Sequence, residues 1–289
     1  MDHEEARTLA YRCHRSLDSL HAMVYFAPEA DERFSAAGLQ PGQMGYFASR
    51  SAPMGAVEPG VVAATFYNFN PELVARHIPR AWTLASPEKI LAARFDAADA
   101  ALRRLLGDAV SSPEVAEAAT LAREATGGCT PEGRPLYAGH AELDWPSEPH
   151  LALWHAVSLL REFRGDGHVA ALVANGLGGL AALITHVATG KGFRPKAAKT
   201  IRGWSDEQWD AATAGLREKG LLDAGGALTD QGSELRRRIE DQTNAAATGP
   251  WRKLGPEKAV RLADLGRALS RQVVEAGAFP AGLFAQPRA

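Results

Sequence analysis

Residues 205–240 read "SDEQWDAATAGLREKGLLDAGGALTDQGSELRRRIE", and this stretch decides the fold. Ser205 and Gln208 form a capping box: the hydroxyl accepts from the amide of the third helical residue while the glutamine reaches back to the cap. Trp209, Ala212 and Leu216 then fall on one helical face, and Gly220 stops the helix by tolerating a left-handed backbone. Leu221-Leu222-Asp223 and Ala227-Leu228-Thr229, separated by Gly225-Gly226, predict a two-stranded hairpin. Thr229-Asp230 caps a further helix carrying Leu235 and Ile239.

Outward from this stretch the pattern is helical. Ala6, Ala10, Cys13, Leu17, Leu20 and Val24 form one stripe of a helix over 3–26. Asn70-Pro71, Ser86-Pro87 and Ser112-Pro113 each place a capping side chain before a proline at the first helical position. A helix opens at Ser147 and runs to Phe163, with Arg164-Gly-Asp-Gly-His168 as a turn into the uncharged segment 169–190. That segment is long enough to span a bilayer, but it is alanine-rich and broken by Asn175-Gly-Leu-Gly-Gly, so it reads as a buried helix pair. Of 289 residues 46% are hydrophobic and 23% charged, with a net charge of −2, which excludes disordered and collagen-like chains and a chain-wide basic field for nucleic acid. Two cysteines are too few for a disulfide framework, and no signal peptide opens the chain, so the expectation is a cytoplasmic protein that does not enter a membrane.

The order of helix, hairpin and "LTDQG" helix start resembles the winged helix-turn-helix of MarR-like proteins. The chain as a whole, with its "LREFRGDGHVAAL" segment, resembles an actinobacterial winged-helix family whose activity is unsettled. The expected architecture is mainly α: a helical domain over 1–190 with a ligand pocket, a winged helix-turn-helix with a small β-hairpin wing over 191–250, and a C-terminal helix within 251–289. In that last segment Val260, Leu262, Ala263, Leu265, Leu269, Val273 and Val274 make an apolar face suited to a homodimer. The helix that would meet bases begins with Asp206, Glu207 and Asp210, which repel phosphates, while Lys196, Lys199 and Arg202 are the candidates for backbone contact.

Polar residues in apolar surroundings give the pocket candidates. His155, Ser158 and Glu162 form a polar stripe on an otherwise apolar helix, continued by Arg164, Asp166 and His168. They read either as a corner fastened by ion pairs, Arg161 or Arg164 with Glu162 or Asp166, or as a pocket wall. In the first helix Tyr11, His14, Asp18, His21 and Tyr25 form a second polar stripe, from which His21 and Tyr25 join the pocket set. Asn68 lies among aromatics without a cap to make, and Tyr46 and Arg50 sit in a glycine-broken stretch. No Walker, dinucleotide-binding, nucleophile-elbow or zinc-protease motif is present, and the residues specify no cofactor and no metal. The leading functional expectation is a small-molecule-binding protein with weak DNA credentials. Its rivals are a ligand-responsive MarR-like regulator, and an enzyme using His155 or His168 as general base with an arginine for substrate charge.

Overall fold

The computed structural model describes residues 1–285. Helices dominate because proline-led starts, alanine-rich interiors and glycine stops recur along the chain. The first half holds α1 (His3–Ala22), α2 (Pro28–Ala36), α3 (Gln43–Ser51), α4 (Pro59–Phe66), α5 (Pro71–His77), α6 (Arg80–Leu84), α7 (Pro87–Leu106) and α8 (Pro113–Thr126). The second half holds α9 (Pro135–Ala141), α10 (Pro149–Ala174), α11 (Gly179–Ala188), α12 (Pro195–Arg202), α13 (Asp206–Glu218), α14 (Asp230–Ala246), α15 (Gly249–Leu254) and α16 (Pro256–Glu275). The caps at Asn70, Ser86, Ser112, Ser205 and Thr229 form as their sequences predict, including both halves of the capping box.

One large core joins α1–α8 and the N-terminal half of α10 to α15 and α16, and a second joins the end of α10 to α11, α13 and α14. The chain therefore returns to its first bundle after α11–α14. Here α16 lies along α1, so closely that a Cβ on Gly266 would stand 2.5 Å from Leu17. Leu262, Ala263 and Val273, offered by the sequence as a face for a partner copy, are fully buried in this intramolecular contact. Residues 286–289 of the predicted C-terminal segment lie outside the described residues.

Two expectations are corrected. Among the described residues there is no β-strand, so the predicted hairpin wing is absent. Residues 221–229 instead make a tight turn closed by the single bridge Leu222–Leu228, with Thr229 bonded back to Leu221. Each arm has three residues, and the next stretch is claimed by the Thr229 cap of α14, leaving no length for a ladder. With the strands goes one of the features on which the MarR-like resemblance rested. The second correction concerns Arg164–His168, which is not a turn: α10 runs unbroken from Pro149 to Ala174. Gly165 and Gly167 sit inside this helix because Arg161 and Arg134 occupy the space their side chains would need. The helix pair does break where predicted, at residues 175–178, by 102° between α10 and α11. No single helix among the described residues is long and apolar enough to cross a membrane.

Candidate functional site

Where α1, α3, α7 and α10 meet, a polar network is buried in the larger core. Glu162, fully buried on α10, accepts from Arg50 Nε at 2.9 Å on one oxygen and from Arg50 Nη2 and Arg161 Nη1, both at 2.8 Å, on the other. This is the bidentate geometry for which a guanidinium is suited. A hydrogen-bond relay runs beside it. Ser158 Oγ donates to the Trp154 carbonyl at 2.8 Å, so at 2.9 Å it must accept from His21 Nδ1. His21 Nε2 is then left as the acceptor for the Tyr25 hydroxyl at 3.1 Å, and Tyr25 Oη in turn accepts from Arg94 Nη2 at 3.1 Å. The relay fixes a neutral His21 with its proton on Nδ1. That state agrees with burial, which holds the imidazole well below its ordinary pKa despite the nearby Glu162.

The network carries an excess of cations. Arg50 and Arg161 bond the one carboxylate, Arg94 joins through the Tyr25 hydroxyl, and Arg202 reaches in from the end of α12, lying 4.0 Å over the Phe69 ring. Burial lowers Arg202 to about 10, with Arg50 and Arg161 adding to the effect. Burial alone would raise Tyr46, but Arg50, Arg202 and Arg161 outweigh it and hold the phenol below its ordinary value. Burial likewise works against an ionised Glu162, and Arg161 and Arg50 overcome it.

A cleft of about 720 Å³ opens between α1, α10, α11 and α14. Its walls carry Arg15, Arg164, Lys191, Arg236 and Arg237 against Asp18, Glu240 and Asp241. Arg164 pairs with Glu240 at 2.5 Å and Arg237 with Asp241 at 2.8 Å. Nη1 of Arg164, and both Nε and Nη1 of Arg236, are buried without a hydrogen-bond acceptor. His14, also in the walls, is lowered to about 4 by burial and stands there as a neutral hydrogen-bonding group.

The sequence-predicted set divides between these places. His21, Tyr25, Tyr46, Arg50 and Glu162 come together in the network, with Arg161–Glu162 among the ion pairs the sequence offered. Arg164 belongs to the cleft and pairs with Glu240 rather than with an acid of its own helix. His168 donates through Nδ1 to Thr243 Oγ1 at 2.8 Å, tying α10 to α14. Asp166 accepts from the Tyr137 amide at 2.9 Å, and burial raises it to about 6, so it fastens α9 to α10. His155 lies edge-on to Trp145 and near Phe95, lowered to about 4 by burial. Asn68 contributes its carbonyl to Trp204 Nε1. Neither His155 nor Asn68 has a hydrogen bond or ring contact to the network. Arg94, Arg161 and Arg236 lay outside the predicted set. Arg94 had a signal: it stands one turn after Ile90 and beside Ala93 and Ala97 on the buried face of α7, where a cation requires a reason.

In the segment the sequence offered as a helix-turn-helix, Asp206 and Glu207 lead α13, and Asp206 is ion-paired to Lys199. Lys196 is exposed, whereas Arg202 is turned inward, away from any backbone it was expected to contact. No group of three or more His, Cys, Asp or Glu among the described residues is placed to hold a metal ion. No curated protein and no solved structure matches the chain. A helix-turn-helix family matches residues 10–280, a span that takes in the first bundle, the acid-led α13 and the returning α16, and the protein belongs to that family.

Proposed function

We propose that this helix-turn-helix protein binds a small anionic molecule in the cleft between α1, α10, α11 and α14. The carrying observation is that Arg164 and Arg236 both line this cleft and that each keeps buried N–H groups without acceptors. A buried charged donor left unsatisfied costs free energy on the order of 1–3 kcal/mol or more, and an anion placed between the two arginines would remove that cost. The volume of about 720 Å³ suits a drug-sized molecule. Arg164 belongs to the helical bundle and Arg236 to the helix after α13, so an occupant would bridge the two parts. That placement supports a ligand-responsive regulator, of which a MarR-like protein is the finer form. It also leaves α13 a poor reader of DNA, because Asp206, Glu207 and Asp210 face where phosphates would lie and Lys199 is engaged by Asp206.

Calorimetric titration with salicylate and with inorganic phosphate at low salt tests the reading, with R164Q and R236Q as variants. The expected result is binding of at least one probe that weakens as salt rises and falls by about tenfold or more in either variant, about 1.4 kcal/mol. The unliganded R236Q protein should melt no lower than the wild type. Probe binding indifferent to both substitutions would refute the cleft as the site. In a mobility-shift assay on random duplexes, D206N/E207Q/D210N should bind more tightly than the wild type, and the gain should shrink as salt rises. Selection of a sharp consensus by the wild type would show that α13 does read bases.

A further inference from the structure

We infer that Tyr46, Arg161 and Arg202 form a second anion site, at the junction of α3, α10 and α12, that takes an oxyanion carried on a flat apolar body. The argument is one of unfilled valence and then of charge. Glu162 is saturated by Arg50 and Arg161. The Nη groups of Arg94 are directed at Tyr25 and Ser49. Tyr46 Oη receives hydrogen bonds from Arg50 Nη1 at 3.2 Å and from Arg202, yet its own hydroxyl hydrogen has no acceptor among the described residues. Arg202 Nε is buried and has none either. Two neighbouring side chains thus each keep a donor without a protein acceptor, and for the buried Nε that is a deficiency native structures rarely leave unfilled.

The charge count points the same way. Of four guanidinium groups gathered here, those of Arg50 and Arg161 bond Glu162, that of Arg94 bonds Tyr25 and that of Arg202 reaches Tyr46, with Asp18 acting on Arg161 from the cleft side. Arg50 and Arg94 are buried and Arg161 and Arg202 half-buried, and cations in such excess over one buried carboxylate call for a further negative charge. The surroundings describe what bears it. Tyr25 and Tyr46 meet edge to face at 5.0 Å, Arg50 lies 4.4 Å over Phe66, and Arg202 is stacked on Phe69 with Phe193 5.4 Å away. Ring faces and stacked guanidinium planes line the place, so an aromatic acid fits it better than a globular polyanion. Arg202 ends the first helix of the helix-turn-helix unit, so an anion here holds α12 to the bundle. This inference stands apart from the α14 arginines of the cleft.

The test titrates the full-length protein with benzoate and, separately, with inorganic phosphate, following heat and the ultraviolet absorbance of the phenolate across pH. In the wild type, a tyrosine ionising below the ordinary range should move upward when the probe binds, because the anion competes with the phenolate for the same guanidinium groups. Y46F should abolish that spectral shift, and R202Q should weaken binding by about tenfold or more. Y46F removes a single hydroxyl and keeps the question open to refutation should R202Q fold poorly. Benzoate binding alone assigns a carboxylate, and phosphate binding alone a phosphoryl group. Failure of both probes to move the tyrosine titration overturns the inference. It is likewise overturned, with the cleft reading intact, if R164Q and R236Q abolish all probe binding while R202Q and Y46F leave it unchanged.

Discussion

Replacing Glu162 by glutamine would leave Arg50 and Arg161 facing a neutral amide at a position with no exposure to solvent. Removing one partner of a buried ion pair leaves the other charge uncompensated, a loss of about 3–5 kcal/mol in comparable sites, larger than deleting most single core contacts. Denaturant unfolding of E162Q should show a loss of this order with an unchanged slope. A value below about 1 kcal/mol would mean that Arg50 finds another counter-charge. The same arithmetic assigns His168 a structural part. It stands inside α10, and its bond to Thr243 connects the two helices that carry Arg164 and Arg236. H168A should therefore lower stability by roughly 1–3 kcal/mol. Retention of full stability together with lost probe binding would instead place this imidazole in the ligand site.

At the scale of elements, backbone approach decides what a glycine is for. An ideal Cβ on Gly179, at the start of α11, would stand 1.9 Å from the carbonyl oxygen of Tyr67, and one on Gly232 would stand 2.1 Å from that of Leu221. Alanine ordinarily favours a helix by up to about 1 kcal/mol over glycine, but here the obstacle is main chain and cannot rotate away. G179A should lower the melting temperature, at a cost of about 1–3 kcal/mol, whereas G60A, whose Cβ meets nothing, should not. The caps and the break between α10 and α11 were legible because they depend on neighbours in sequence. Gly165 and Gly167 misled because their usual meaning as turn residues gives way to packing inside a helix, against Arg161 one turn earlier on α10 and Arg134 from the start of α9. The hairpin misled because alternation over three-residue arms cannot reveal that no ladder has room to form. Of the polar stripe on α10, Ser158 and Glu162 reached the network and His155 did not, since a stripe marks the buried face of its own helix and says nothing of Arg50 or Arg202 arriving from others.

Over the whole molecule, buried imidazoles set the response to acid. Burial lowers His14 and His155 to about 4 and His140 and His168 to about 3, from an ordinary 6.5. In the unfolded chain these groups take up protons as the pH falls through 6.5, while in the folded protein they do not until their lowered values are reached. The unfolded state therefore binds more protons across that window, and stability falls as the solution is acidified. Each imidazole steepens the fall by at most about 1.4 kcal/mol per pH unit. Asp166 works in the opposite sense: raised by burial from 3.8 to about 6, it takes up its proton in the folded protein first and gives back part of the loss as the pH falls. One carboxyl cannot offset four imidazoles. Denaturant unfolding followed from about pH 7 to about pH 4 should show a steep loss of stability, and H168Q should flatten the curve while lowering its upper end. A flat profile over that range would mean that the histidines are hydrated in solution, and the closed packing of α1, α10 and α14 around the cleft would have to be given up with it.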